Sequence, residues 1–164
     1  MSLVRANKRR IGKVEINSVI VQIEKMMQPF YKARDTSIRL NLTTKDPYLR
    51  CSEAAIESIL TNLLNNALNA FRRENSNNRV IEISTTIDSD NCVVVVADSG
   101  PGISQRNLSE IWLPGITSDP DGTGLGLTIV KDTVKDLGGE VHVTARGELL
   151  GGAEFRITLP IIGS

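Results

Sequence analysis

Aromatic side chains make up only 4% of the 164 residues, with three Phe, two Tyr and one Trp, so the core must be filled largely by aliphatic packing. Cysteine is equally scarce. The two present, Cys51 and Cys92, lie far apart without metal-ligand spacing, which excludes a disulfide scaffold and a thiolate metal centre. Both read as reduced thiols in or near the core of a cytosolic protein. A single histidine, His142, stands between Val141 and Val143 in a strand pattern and reads as a structural or surface position. Neither sign of charge is in excess, with 19 Lys and Arg against 19 Asp and Glu and no basic run beyond Lys8-Arg9-Arg10. That balance implies no nucleic acid and no membrane surface as a main partner. There is no secretory segment and no apolar run of membrane length, so the chain carries no direct membrane segment. A cytoplasmic location is expected, whether the parent protein is soluble or a membrane-bound receptor. No G-x-x-x-x-G-K-[ST] run occurs either, and Gly12-Lys13-Val14 lacks the rest of it, which excludes a Walker-type loop.

What is present fits one domain with a real core. Residues 1–13 are expected to be a linker or an expression remnant, and 14–162 the folded unit. Asn17 is expected to cap a helix whose apolar positions are Val19, Ile20, Ile23, Met26, Met27 and Phe30. Ile38, Leu40 and Leu42 alternate with Arg39, Asn41 and Thr43 as a half-buried strand does, and Tyr48 to Cys51 reads as a short second strand. Ser52 caps a helix over Glu53 to Arg72, with Ile56, Ile59, Leu60, Leu63, Leu64, Ala67 and Phe71 as its apolar stripe. Two strands, Val80 to Ile87 and Cys92 to Asp98, flank a hairpin turn; Ser104 to Ile111 reads as a short helix. A further helix stops at Gly138-Gly139, and two strands, Glu140 to Arg146 and Ala153 to Leu159, close the chain. Helices alternate with hairpins, each with one apolar face. The expected fold class is therefore α+β, a two-layer α/β sandwich with helices on one face of a mixed, mostly antiparallel sheet.

Three features carry chemistry. Asn62, Asn66 and Asn69 follow at helical spacing on one narrow stripe, although asparagine is a mediocre helix former. The stripe is either a solvated face or a ligand row, in which Asn66 offers a hard oxygen to Mg²⁺ and Asn62 holds phosphate oxygens or metal-bound water. Arg72 and Arg73, at the end of the same helix, either complement its dipole or reach a phosphate. The valine run Val93 to Val96 ends at Asp98-Ser99-Gly100-Pro101-Gly102, where a carboxylate beside bare backbone can accept from the exocyclic amine of an adenine lying against the glycines. Gly122, Gly124 and Gly126 open the next helix and bring unpaired N–H groups and a helix dipole to bear on a phosphate chain. Either glycine cluster alone reads as a loop; together with the asparagine stripe they read as a nucleotide site. Leu113 to Asp121, rich in helix and strand breakers, lies between the clusters, where a lid would be.

From about Val14 to Pro160 the order and wording of these motifs resemble the catalytic, ATP-binding domain of sensor histidine kinases, in the GHKL superfamily that also holds DNA gyrase, mismatch-repair ATPases and a heat-shock chaperone. Asn62-Leu63-Leu64-Asn65-Asn66-Ala67 resembles the N box, Asp98 to Ile103 the first glycine box, and Gly122 to Leu127 the second. Leu137-Gly138-Gly139 and Phe155 to Pro160 match the closing pattern. The resemblance implies that Mg²⁺ and ATP are bound, with Asp98 on the adenine amine, Asn62 and Asn66 as catalytic positions and Asn66 on the metal. It implies further nucleotide contacts from Gly100, Gly102, Ile103, Thr117, Gly122, Thr123, Gly124, Leu125, Gly126 and Leu127. Ile111 to Thr117 sits where the family has its F box, with Gly115 and Ile116 in place of an aromatic pair; Asn69 and Asp119 stand where lysines are frequent. Hydrolytic members carry a glutamate four residues before the metal asparagine, where this chain has Asn62, which cannot act as a general base. The implied partners are a dimerisation domain bearing the phosphoacceptor histidine and a response regulator, which makes this chain half of an enzyme. The resemblance leaves open an anti-sigma-type serine/threonine kinase and a non-catalytic nucleotide-sensing module.

Overall fold

The computed structural model describes residues 8–74, 77–104, 107–115 and 126–162. In chain order the elements are β1 (Gly12–Glu15), α1 (Ile16–Ala33), β2 (Ser37–Asn41), β3 (Tyr48–Cys51), α2 (Glu53–Glu74), β4 (Val80–Asp88), β5 (Asn91–Asp98), α3 (Gly126–Asp136), β6 (Glu140–Thr144) and β7 (Glu154–Pro160). β1 and β3 pair as a small antiparallel sheet. The other five strands form one mixed sheet in the order β2-β4-β5-β7-β6, parallel only between β2 and β4. The α+β architecture expected from the motif order is the one observed.

Alternation decides which face of the sheet is buried. Ile81 and Ile83 on β4, Val94 and Val96 on β5, and Phe155 and Ile157 on β7 share one face and join Ile20, Ile23, Leu60, Leu63, Leu64, Phe71, Val130 and Val134 of the helices in a single core. Between them on β7, Arg156 is exposed. β5 is the middle strand, and Val93 on its other face is buried too, which accounts for its unbroken valine run. The strand therefore delivers Asp98 to the rim of the layer between sheet and helices.

Several local expectations are corrected. Asn17 is not the helix cap: Glu15 is, its carboxylate accepting from Ser18 N–H at 3.1 Å. Asn17 is instead buried, donating from Nδ2 to Thr43 O at 3.0 Å and accepting from Thr85 Oγ1 at 2.8 Å. Because Thr43 N–H in turn donates to Thr85 Oγ1 at 2.9 Å, this network ties α1 to β4. Asn17→Ala strands a buried carbonyl and hydroxyl, and should cost about 1–3 kcal/mol as a shift in the urea midpoint at unchanged slope. Met26 and Phe30 are exposed, 56% and 51%, while Tyr31 is buried. The buried stripe runs Ile16, Val19, Ile20, Ile23, Met27, Tyr31, and Met26 and Phe30 each precede a stripe position, about 100° away around the helix. Asn107 to Trp112 is a succession of turns rather than a helix, and β6 ends at Thr144, short of Arg146.

Burial pushes the thiols of Cys51 and Cys92 up to about 11 from 9.0, with Glu15 adding to the effect on Cys92. The raised folded value means that their contribution to stability is intact below about pH 9 and is lost as pH rises toward 11. At pH 8 a thiol reagent should label neither residue until the protein is unfolded.

Candidate functional site

α2 forms one wall of the site. Asn62 Nδ2 donates to Ser58 O at 2.7 Å, which turns the carboxamide oxygen outward. That oxygen faces the start of α3: a Cβ added to Gly126 would stand 3.1 Å from Asn62 Oδ1. Asn66 and Asn69 are half-buried on the same side of the helix, Asn65 is exposed, and Arg72 is exposed at the far end. Phe71, fully buried, lies beneath the first glycine cluster, 3.5 Å from where a Gly100 Cβ would be. Asn62 and Phe71 are about 14 Å apart along the helix axis, so α2 reaches from Gly126 to Gly100 with Asn66 between.

The Phe71 end is built around a buried carboxylate. Asp98 is 4% exposed and its Oδ1 accepts from Gly100 N–H at 2.9 Å. Ser99, beside it, donates from its hydroxyl to Asn78 O at 2.8 Å and accepts from Val80 N–H at 2.9 Å, fastening the turn to the start of β4. Gly102 has φ +76, in the left-handed region, and a Cβ there would stand 2.5 Å from Ala145 O, so two independent constraints require glycine. Ile103 N–H donates to the same Ala145 carbonyl at 3.0 Å. A third wall comes from the loop between β6 and β7, where Gly152 N–H donates to Asp98 O at 3.0 Å and a Gly152 Cβ would overlap Asp98 Oδ1. Gly147, Gly151 and Gly152 fall between the last two strand patterns, and their clustering just before a strand is the one sequence signal for this wall.

The Asn62 end opens on the first turn of α3, where backbone N–H groups and the helix dipole favour anions. Gly126 and Leu127 lie here, Leu127 packed partly against the core. Thr117, Gly122, Thr123, Gly124 and Leu125 lie outside the described residues, as do Ile116 and Asp119 and the side chain of Arg73. On either side of that stretch the chain is tied down. Thr128 Oγ1 donates to Trp112 O at 2.8 Å, the Trp112 ring meets Phe155 edge-on at 5.9 Å, and Lys131 Nζ sits 5.6 Å from the Trp112 centroid. His142 belongs to none of this: it is exposed on edge strand β6, its Nε2 3.5 Å from Glu140.

These residues fit a purine nucleotide. A buried acceptor stands among glycines whose Cβ atoms would collide with it or with its neighbours, and an anion-favouring helix start lies at the other end of α2. Among the described residues no group of three or more His, Cys, Asp or Glu could hold a metal ion, so a metal here would rely on carboxamide and phosphate oxygens.

Residues 51–162 match the family of histidine kinase-, DNA gyrase B- and HSP90-like ATPases. The chain belongs to this family, whose domains bind ATP, and it is a sensor histidine kinase ATP-binding domain of the GHKL superfamily. Among its relatives, sporulation kinase D of Bacillus subtilis is 32% identical over 93% of this chain and 30% of its own length. Sensor protein TdiS of Thauera aromatica is 29% identical over 89% of this chain and 27% of its own length. The chain thus spans less than a third of either relative. In structure, full-length ShkA in complex with AMPPNP superposes with a TM-score of 0.79 at 27% identity, covering 94% of this chain and 32% of that one. The catalytic domain of histidine kinase ThkA superposes at 0.80 and 23% identity, over 92% of this chain and 95% of that one, a likeness of fold.

Proposed function

We propose that this chain, as the catalytic domain spanning 14–162, binds Mg·ATP and directs its γ-phosphoryl group to a histidine outside the chain. The observation that carries the transfer reading is Asn62. Its amide is locked onto the Ser58 carbonyl and its oxygen faces Gly126, so the phosphate end of the site presents a carboxamide where a hydrolase needs a base. The AMPPNP held by ShkA supports the same ligand class for this chain.

Each residue then has a task. Asp98 accepts from the exocyclic amine of the base, while Gly100, Gly102 and Ile103 leave the bare backbone against which the ring lies. Asn66 supplies a hard oxygen to the metal, and Asn62 orients phosphate oxygens or metal-bound water. Thr117, Gly122, Thr123, Gly124, Leu125, Gly126 and Leu127 hold the phosphate chain by hydrogen bonds and the α3 dipole. When bound, Mg·ATP supplies the transferable group and the cationic charge that offsets charge developing on it. The chain contributes positioning and electrostatics, and the acceptor histidine contributes the nucleophile. In this reading the acceptor is not His142, which lies on edge strand β6 with its Nε2 3.5 Å from Glu140 and away from the residues assigned to the nucleotide.

The partners in this reading are the dimerisation domain that carries the acceptor histidine and, downstream, a response regulator, in the cytoplasm. Among the described residues no helix is long and apolar enough to cross a membrane. The test is to mix the chain with ATP and the histidine-bearing domain of its parent protein. Acid-labile phosphate on that domain is the expected result. Acid-stable phosphate would move the acceptor to serine or threonine, and free phosphate alone would make the protein a hydrolase.

A further inference from the structure

The loop between β6 and β7 supports Asp98 from behind, and one carboxylate with no task in the nucleotide reading shapes that loop. Glu154, the first residue of β7, is half-buried, and its Oε1 accepts from Leu149 N–H at 3.0 Å. Its side chain fills the space that Gly147 leaves by having none: a Cβ on Gly147 would overlap Glu154 Cγ, Cδ and Oε1. From there the route to Asp98 is short. Gly147 N–H donates to Gly152 O at 2.8 Å, Gly152 N–H donates to Asp98 O at 3.0 Å, and Asp98 N–H donates to Ala153 O at 3.1 Å. Gly152 packs directly on the Asp98 carboxylate, and the strand register that sets Ala97 opposite Glu154 brings the two ends of this route together.

We propose that Glu154 is a positioning residue for base recognition: its carboxylate fills and closes the Gly147–Gly152 loop, and the closed loop fixes Asp98 in the orientation that selects adenine. This rests on the nucleotide reading given above. In this role Glu154 acts through Gly152 rather than on the nucleotide. A glutamate that only stabilised the hairpin would leave the preference between bases unchanged, and that difference makes the role measurable.

Calorimetric titration of ATP and of GTP into the unmodified chain, Glu154→Ala, Glu154→Gln and Gly147→Ala, with thermal midpoints recorded to show that each is folded, tests the proposal. Loss of a charged acceptor should lower the ATP-over-GTP preference of Glu154→Ala by about tenfold. Glu154→Gln, which keeps an oxygen for Leu149 N–H, should restore most of it. Gly147→Ala should reproduce the loss by evicting an intact Glu154. The double variant should be no worse than Glu154→Ala, because the space for the new Cβ is then empty. An unchanged ATP-over-GTP preference in folded Glu154→Ala overturns the positioning role alone. Failure of the unmodified chain to bind ATP overturns the nucleotide reading, and this role with it.

Discussion

Asp98→Asn should weaken ATP binding by about 10- to 100-fold and erase the preference for ATP over GTP, the range that follows from losing a hydrogen bond to a charged acceptor. The carboxylate has two accepting oxygens, and Oδ1 is already engaged by Gly100 N–H at 2.9 Å. An asparagine has one. Its amide must either face Gly100 N–H, donor against donor, or face the base amine with the same conflict. Gly152 behind and Gly100 in front leave the side chain little freedom to escape that choice. The substitution is close to isosteric, so thermal stability should change little while nucleotide affinity falls. A variant that still prefers ATP would show that the base is read elsewhere.

Asn66→Ala should abolish the part of ATP affinity that depends on Mg²⁺ and reduce phosphoryl transfer by at least the roughly 10- to 100-fold that follows loss of contacts supporting a metal site. Asn66 sits between the Asp98 and Asn62 ends of α2, where the metal must lie if the base is at one end and the phosphates at the other. In EDTA, the variant and the unmodified chain should bind ATP alike, since neither then has a metal to hold. Equal Mg²⁺ dependence of the two proteins would remove Asn66 from the metal site. Alanine is a better helix former than asparagine at this half-buried position, so a lower melting temperature is not expected to confuse the result.

The parts of this site legible in the sequence are those whose chemistry is local. A carboxylate at the end of a valine run beside Gly100 and Gly102, and asparagines at steps of four and three on one helix face, can be placed from spacing alone, and it is their combination that reads as a nucleotide site. What the sequence hid depends on register and on long-range packing. Gly152 looks like any turn glycine until β5 and β7 pair with Ala97 opposite Glu154, which sets it against Asp98. Phe71 reads as one more core residue, and only the tertiary fold seats it under Gly100. Asn17 carries the composition of a helix cap, but Glu15, two residues earlier, reaches Ser18 N–H first, and Thr43 and Thr85 draw Asn17 inward instead. β1 is only four residues long, too short for any periodicity to announce it, and its pairing with β3 is a tertiary event.

In the proposed reading this chain holds Mg·ATP without spending it on water. Calorimetric binding of ATP with and without Mg²⁺, followed in the same sample by an assay for released phosphate, separates that outcome from hydrolysis. Binding should strengthen with Mg²⁺, with almost no phosphate released, because the proposed phosphate end presents the Asn62 carboxamide, which cannot act as a general base. Rapid release that disappears in Asn66→Ala would contradict that reading and return the site to the hydrolytic branch of its superfamily.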